Sequence, residues 1–485
     1  MTAFSPDCIL ISMKQNKFWL ICIFFFCCAA AAVNGQAAQV FPRAALFDEA
    51  AYNQLPRKAS LATRSYEGLP RTFSLKQYAP LPGDQTDYGT CVAWASAYAA
   101  RTISESIALG RRDPAETSLN VFSPVYIYRN IRPDDPECQM GAAIFWALDL
   151  MRDRGAVRML DIERSVAFPR VDLSLYTDSR RYPIAGYVTL FSSEERQKPA
   201  LITRMVKKSL TEGKPVIIGM NTPNSFMEAV NVWHPPEDPG FFYGGHAMCV
   251  IGYDDDIAGG AFEVINSWGR KWGNAGYIWV PYAAFVDFVL ESYEIIENIA
   301  IYSDSAKYEG YARIEILEQG EPQAAPLVFS DQGIYQTAGS FGEGTRLRFV
   351  VGSMESAYVY SFAVSRSRSG NFYAPVLMFP PAGVSPLLNY RYSELTLPTE
   401  DRYLALDAQP GTEYLITLYA KQALDIHSIM RQFESNRGDL SQRLAAALGG
   451  NLVLTISYNA DEAAFTHEID DPREVAALIL AVDHR

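Results

Sequence analysis

Cysteine is scarce in this chain. Of seven among 485 residues, four (Cys8, Cys22, Cys27, Cys28) fall near the N-terminus, leaving Cys91, Cys138 and Cys249 for the rest. At most one disulfide, Cys138–Cys249, is possible if Cys91 stays free. That excludes a disulfide-held secreted scaffold and leaves stability to an apolar core. Histidine is scarcer still, with five residues and no ligand spacing among them, so neither a metal nor any other cofactor is expected. His234 stands before Pro235-Pro236 in a loop, His427 opens a helical pattern and His467 lies in an acidic tail segment. Asp254-Asp255-Asp256 reads as a solvated turn. Positive charge is in deficit: the net charge of -13 argues against nucleic acid or an anionic membrane as partner. Asn-x-Ser/Thr acceptor sites are absent, which, with the few cysteines, fits a bacterial source.

The longest apolar run is Phe18 to Val33, behind Lys14 and Lys17 and ahead of small residues. It reads as a signal peptide over 1–36, slightly short for a span and without a stop-transfer flank. The mature protein is then exported, periplasmic or extracellular, with no membrane partner after cleavage. At 49% hydrophobic and 20% charged the chain is globular, and its length suggests two or three domains.

The pattern that carries chemistry begins at Gln85-Thr-Asp-Tyr-Gly-Thr-Cys91-Val-Ala-Trp. A turn-prone stretch gives way to an alanine-rich helical pattern with the thiol at the junction, where free N–H groups and the helix dipole favour thiolate. Gly244-Gly245-His246 heads an apolar strand, and Phe262-Glu-Val-Ile-Asn266 ends another. A short connection makes the two a hairpin that sets His246 beside Asn266. Cys, His and Asn in that order suit a thiol protease. The imidazole takes the thiol proton and returns it to the leaving amine, while the Asn carbonyl fixes the ring. A resting thiolate–imidazolium pair is expected.

From Leu69 to Ala300 these residues resemble the papain-like cysteine peptidases. The likeness runs through Gln85-x5-Cys91, Phe122-Ser-Pro-Val-Tyr126, Cys138-Gln-Met-Gly141, Leu210-Thr-Glu-Gly-Lys-Pro-Val216, Gly245-His246-Ala and Asn266-Ser-Trp-Gly-x2-Trp-Gly-x2-Gly-Tyr277. The resemblance implies Cys91 as nucleophile, His246 as general base and acid, Asn266 as orienter, and Gln85 with the Cys91 N–H as oxyanion hole. It also implies that Trp268 shields the His–Asn bond and that Gly141 pairs with the substrate backbone. Val92, Tyr88 and the Gln139-Met140 pair depart from the family pattern, which bears on subsites and not on reaction type. The fold implied is α+β and two-lobed, a helical lobe plus a β-barrel-like lobe, followed by a separate β-rich C-terminal domain.

The expected organisation is a signal peptide at 1–36, a linker or short pro-segment at 37–68, the peptidase domain at 69–302 and the accessory domain at 303–485. Helices are expected over Val92 to Leu109, Ala142 to Arg154, Ala200 to Glu212 and His427 to Leu448. Strands are expected over Tyr293 to Tyr302, Tyr358 to Val364, Tyr414 to Tyr419 and Leu452 to Tyr458. Segments Tyr358 to Phe379 and Gln409 to Ile429 resemble a domain of unknown function appended to bacterial peptidases. Residues 37–68 are too short for the long helical prodomain that fills the cleft in related zymogens. The leading function is an exported endopeptidase acting on protein or peptide substrates. An acyl transferase using the same triad and a non-catalytic binding module of the same fold are the alternatives. Nothing in the sequence fixes the oligomeric state.

Overall fold

The structure, a computed structural model, describes residues 41–161, 181–297, 307–330, 333–453 and 456–485. The expected signal peptide and residues 298–302 of the expected closing strand lie outside them. That strand is present earlier, as Val289–Ile296.

The helical side starts abruptly at Cys91, where Cys91–Ala93 runs through a π-helical stretch, Trp94–Arg101, into Thr102–Ala108. Its alanines are nearly all fully buried, and small side chains let Pro124–Ile131 and Ile144–Asp153 pack closely against it. The Phe-Ser-Pro-Val-Tyr run is a helix start: Ser123 Oγ accepts from the Tyr126 N–H at 3.0 Å, and Pro124 sits where no N–H is needed.

Across from it lies an antiparallel sheet in the order Gly186–Thr189, Val289–Ile296, Val216–Asn221, Gly245–Asp254, Ala261–Ile265, Tyr277–Pro281, with Thr72–Ser74 added to Gly245–Asp254. The two central strands are mostly apolar, with His246 near the start of one, and are buried on both faces, because the Cys91 helix covers one side and Pro199–Thr211 the other. The α+β class is as expected, and it leaves the thiol on a helix and the imidazole on the facing strand.

The C-terminal region is β-rich, as expected, and consists of two seven-stranded sheets. One runs Leu327–Ser330, Ile334–Phe341, Val475–His484, Gly411–Ala420, Ala357–Ser367, Val376–Phe379; the other centres on Arg346–Ser353 and Lys307–Glu318. Val475–His484, buried along almost its whole length, is a central strand that sequence reading left as tail. Alternate residues of the first sheet (Tyr360, Phe362, Val364, Ile416, Leu418) face outward against helices, among them Ile429 and Phe433. The single helix expected from His427 to Leu448 is two, Ile426–Ser435 and Leu440–Leu448. The break has a local cause: Gly438 takes φ 113°, and Asp439 with Gln442 forms a reciprocal capping box that starts the second helix. Of the expected strand at Leu452 to Tyr458, residues 454–455 lie outside the described ones; Leu452 makes a bridge to Val475 and a strand runs Ser457–Asn459. By internal contacts Val40–Arg485 forms one unit.

Candidate active site

His246 is the second residue of its strand and fully buried, and Asn266 follows the end of the neighbouring strand. The ring Nε2 lies 2.7 Å from Asn266 Oδ1. The same oxygen accepts the Ser267 N–H at 2.7 Å, so it is clamped from two sides. An acceptor at that distance fixes the tautomer with the proton on Nε2. Nδ1 is buried without a hydrogen-bond partner and is the nitrogen left free to exchange a proton. Trp268 lies flat on the imidazole, centroids 4.4 Å apart and planes within 23°.

Backbone N–H groups of Ala247, Ala44, Val92 and Cys91 itself aim at the Cys91 sulfur. Ala247 directly follows the histidine, so the thiol lies against the strand that carries the imidazole. Gln85 is positioned by three bonds. Its N–H donates to Ser267 O at 2.7 Å, its Oε1 accepts from Ser267 Oγ at 2.6 Å, and its Nε2 donates to Tyr88 O at 2.8 Å. These bonds use one of the two Nε2 hydrogens. The four predicted residues are all buried; His246 bonds Asn266, and Ser267 joins Asn266 to Gln85.

Two features differ from expectation. The backbone groups of Gly141 are already occupied: its N–H donates to Tyr128 OH at 2.9 Å and its carbonyl accepts from Arg132 at 2.8 Å. Pairing falls one residue later, on Ala142. The expected ion pair is also disfavoured in this state. Burial pushes the Cys91 thiol up, against the pull of its four N–H neighbours. Burial brings His246 down to about 4, with the Arg43 charge adding to it and the Asn266 bond opposing. Burial thus favours the neutral form of each group.

The cover is the chain's own segment from Phe41 to Leu46, in the stretch read as linker or short pro-segment. Ala142 N–H donates to Ala44 O at 3.1 Å, Leu46 N–H to Ala142 O at 2.9 Å, and Ala45 N–H to Gly245 O at 2.9 Å. Gly141, at φ 76°, and Gly245 are glycines for a visible reason: a Cβ on either would meet the carbonyl of Ala44 or Ala45 at about 2 Å. Phe41 stacks on the outer face of Trp268 at 4.7 Å, and Arg43 donates to Thr222 O at 2.7 Å. Sequence reading missed this segment because main-chain pairing leaves no side-chain signature.

The other two cysteines, Cys138 and Cys249, are unbonded and buried, and Asp255 of the acidic triplet is held by Lys207 and Tyr282. Among the described residues no group of three or more His, Cys, Asp or Glu is placed to hold a metal, and no helix is long and apolar enough to cross a membrane.

Residues 185–292 match the model of the papain family of cysteine proteases. An uncharacterized peptidase C1-like protein, L477, of Acanthamoeba polyphaga mimivirus is 26% identical over 262 residues, which span 47% of this chain and 74% of the relative. Among solved structures, xylellain, a cysteine protease from Xylella fastidiosa, aligns at 20% identity over 53% of this chain and 96% of its own, with a TM-score of 0.41. Procathepsin B S9 from Trypanosoma congolense aligns at 15% identity over 53% and 87%, with a TM-score of 0.42. The family match covers the strands bearing His246 and Asn266, and the chain accordingly carries a papain-family cysteine peptidase domain at residues 185–292.

Proposed function

We propose that the protein is an exported cysteine endopeptidase of bacterial type that hydrolyses protein or peptide substrates through Cys91, His246 and Asn266. The single observation that carries the reading is the 2.7 Å contact between His246 Nε2 and Asn266 Oδ1 beneath Trp268, with Nδ1 left without a partner on the strand that the Cys91 helix packs against. His246 Nδ1 takes the Cys91 proton as the sulfur attacks the scissile carbonyl. The tetrahedral oxyanion is held by the Gln85 amide and the Cys91 N–H, and the imidazolium protonates the departing amine. Water then enters, gives its proton to Nδ1 and releases the acid from the thioester, restoring thiol and imidazole.

None of these steps runs while Phe41–Leu46 fills the cleft, so the enzyme works with that segment displaced. The test is hydrolysis of a fluorogenic peptide by protein freed of the segment, beside Cys91→Ala. Turnover in the parent and none in the variant supports the assignment. Equal turnover in both removes Cys91 from the mechanism, and none in either leaves a binding module.

A further inference from the structure

The segment that fills the cleft does not end there. After the short helix Glu49–Tyr52 and an exposed turn at Asn53-Gln54, the chain enters a strap, residues 56–66, caught between the peptidase sheet and the C-terminal region. On the peptidase side, Lys58 N–H donates to Thr189 O at 2.8 Å and Thr189 N–H to Pro56 O at 2.9 Å. On the C-terminal side, Arg57 N–H donates to Gly383 O at 2.8 Å, Ser385 N–H to Arg57 O at 2.7 Å, and Ala62 N–H to Glu394 O at 2.7 Å. Glu394 N–H returns a bond to Ser65 Oγ at 2.9 Å, and Glu400 accepts from both the N–H and the hydroxyl of Thr63.

At the centre is a buried polar knot. Lys58 Nζ donates to Glu294 at 2.7 Å and to Asn389 Oδ1. Asn389 Nδ2 and Tyr390 OH each donate to the same Glu294 carboxylate at 2.7 Å. Strap, peptidase strand and C-terminal loop each contribute to it, and Lys58 is 4% exposed. A buried ammonium is tolerated only with its partners complete, so the strap stays seated while the C-terminal loop is in place.

We propose that the C-terminal region is the clasp of an internal inhibitor: it anchors the strap and thereby keeps Phe41–Leu46 in the active-site cleft. This rests on the reading of Cys91 as the nucleophile of that cleft. Tethering is what makes so short a segment effective. Three main-chain bonds, the Phe41 and Arg43 contacts and the buried Tyr52, whose hydroxyl donates to Phe191 O, make a small interface for a free peptide, and the tether to the strap holds the local concentration at about the millimolar range. Cutting between Asn53 and Gln54 disturbs the local turn, where Gln54 N–H donates to Ala51 O and Leu55 N–H to Tyr52 O, and otherwise removes that advantage.

The experiment inserts a recognition sequence for a specific protease between Asn53 and Gln54 of the full chain. It then follows iodoacetamide labelling of Cys91 by peptide mass mapping, before and after nicking. The expected result is an increase in labelling rate of about a hundredfold on nicking, fading as protein concentration rises because the freed fragment rebinds. In the un-nicked chain, the double variant Asn389→Ala/Glu400→Ala should label about tenfold faster. Unchanged labelling on nicking, or in the folded double variant, overturns the clasp. If the double variant fails to fold, as circular dichroism would show, nicking alone decides. Faster labelling without peptide hydrolysis leaves the clasp standing and overturns the peptidase reading instead.

Discussion

Phe41 lies flat on Trp268, ring centroids 4.7 Å apart and planes within 11°, while the opposite face of the same indole covers His246 at 4.4 Å. The segment that blocks the cleft and the residue that shields the base therefore share one aromatic stack. Losing the outer ring loosens the blocker without touching the inner contact. Phe41→Ala should weaken the closed state by about 1.5 kcal/mol, seen as a roughly tenfold faster alkylation of Cys91. Once the segment has been removed, kcat/KM should equal that of the parent. A variant that alkylates at the parent's rate shows that the stack does not hold the segment.

The catalytic residues should separate by role in protein freed of the segment. Cys91→Ala removes the nucleophile and should abolish hydrolysis, with His246→Ala almost as severe. Asn266→Ala loses ring orientation and should be milder than either. Gln85→Ala loses one oxyanion donor and should lower kcat by about 3 kcal/mol with little change in KM. Steady-state kinetics on one short peptide ranks all four. A Gln85→Ala enzyme with normal kcat and raised KM would make Gln85 a substrate-binding group.

Two buried groups give the folded state opposing pH dependences. His246 is held down at about 4, so stability falls as pH drops from about 6.5, where the unfolded chain begins to bind the proton, to about 4. Glu291, with Oε1 unpartnered and burial raising it to about 7, works the other way. Its penalty is absent below about 4.5 and grows as pH rises to 7. Each amounts to about 3 kcal/mol, so the two nearly cancel and the parent's stability should be almost flat between pH 4.5 and 6.5. Glu291→Gln should uncover the fall on acidification, and His246→Gln the fall on alkalinisation. Chemical denaturation across this range checks both signs, and parallel curves for parent and variants would contradict them.

The knot around Glu294 predicts an asymmetry. Lys58 and its neighbours hold that carboxylate down, to about 2, against full burial. Lys58→Met strands a buried charge and should cost about 4 kcal/mol at pH 7, whereas Lys58→Met with Glu294→Leu should recover much of it. Urea denaturation of both variants decides, and a double variant no more stable than the single would show that the ion pair is not what the lysine contributes.

The residues proposed as catalytic were legible as candidates because each stands where a local pattern changes: Cys91 at a helix start, His246 behind two glycines, Asn266 at a strand end before Ser-Trp-Gly. Such junctions are written in adjacent residues. The blocker and its clasp are not. Phe41–Leu46 binds through main-chain groups, which any sequence supplies, and Lys58 meets partners 236 and 331 residues away. Val475–His484 looked like tail because acidic turns precede it, yet its apolar run is the middle of a sheet. The split between the last two helices was written in Gly438-Asp439-x2-Gln442 and overridden by the continuous helical pattern around it.

The most direct test of a Cys91 nucleophile in a covered cleft is mass mapping after reaction with an epoxide inhibitor of thiol proteases. The reaction is run on the intact chain and on chain nicked at Asn53-Gln54. The account predicts one adduct, on Cys91, formed quickly in the nicked protein and slowly in the intact one. An adduct on Cys138 or Cys249, or none after the segment has left, would contradict it.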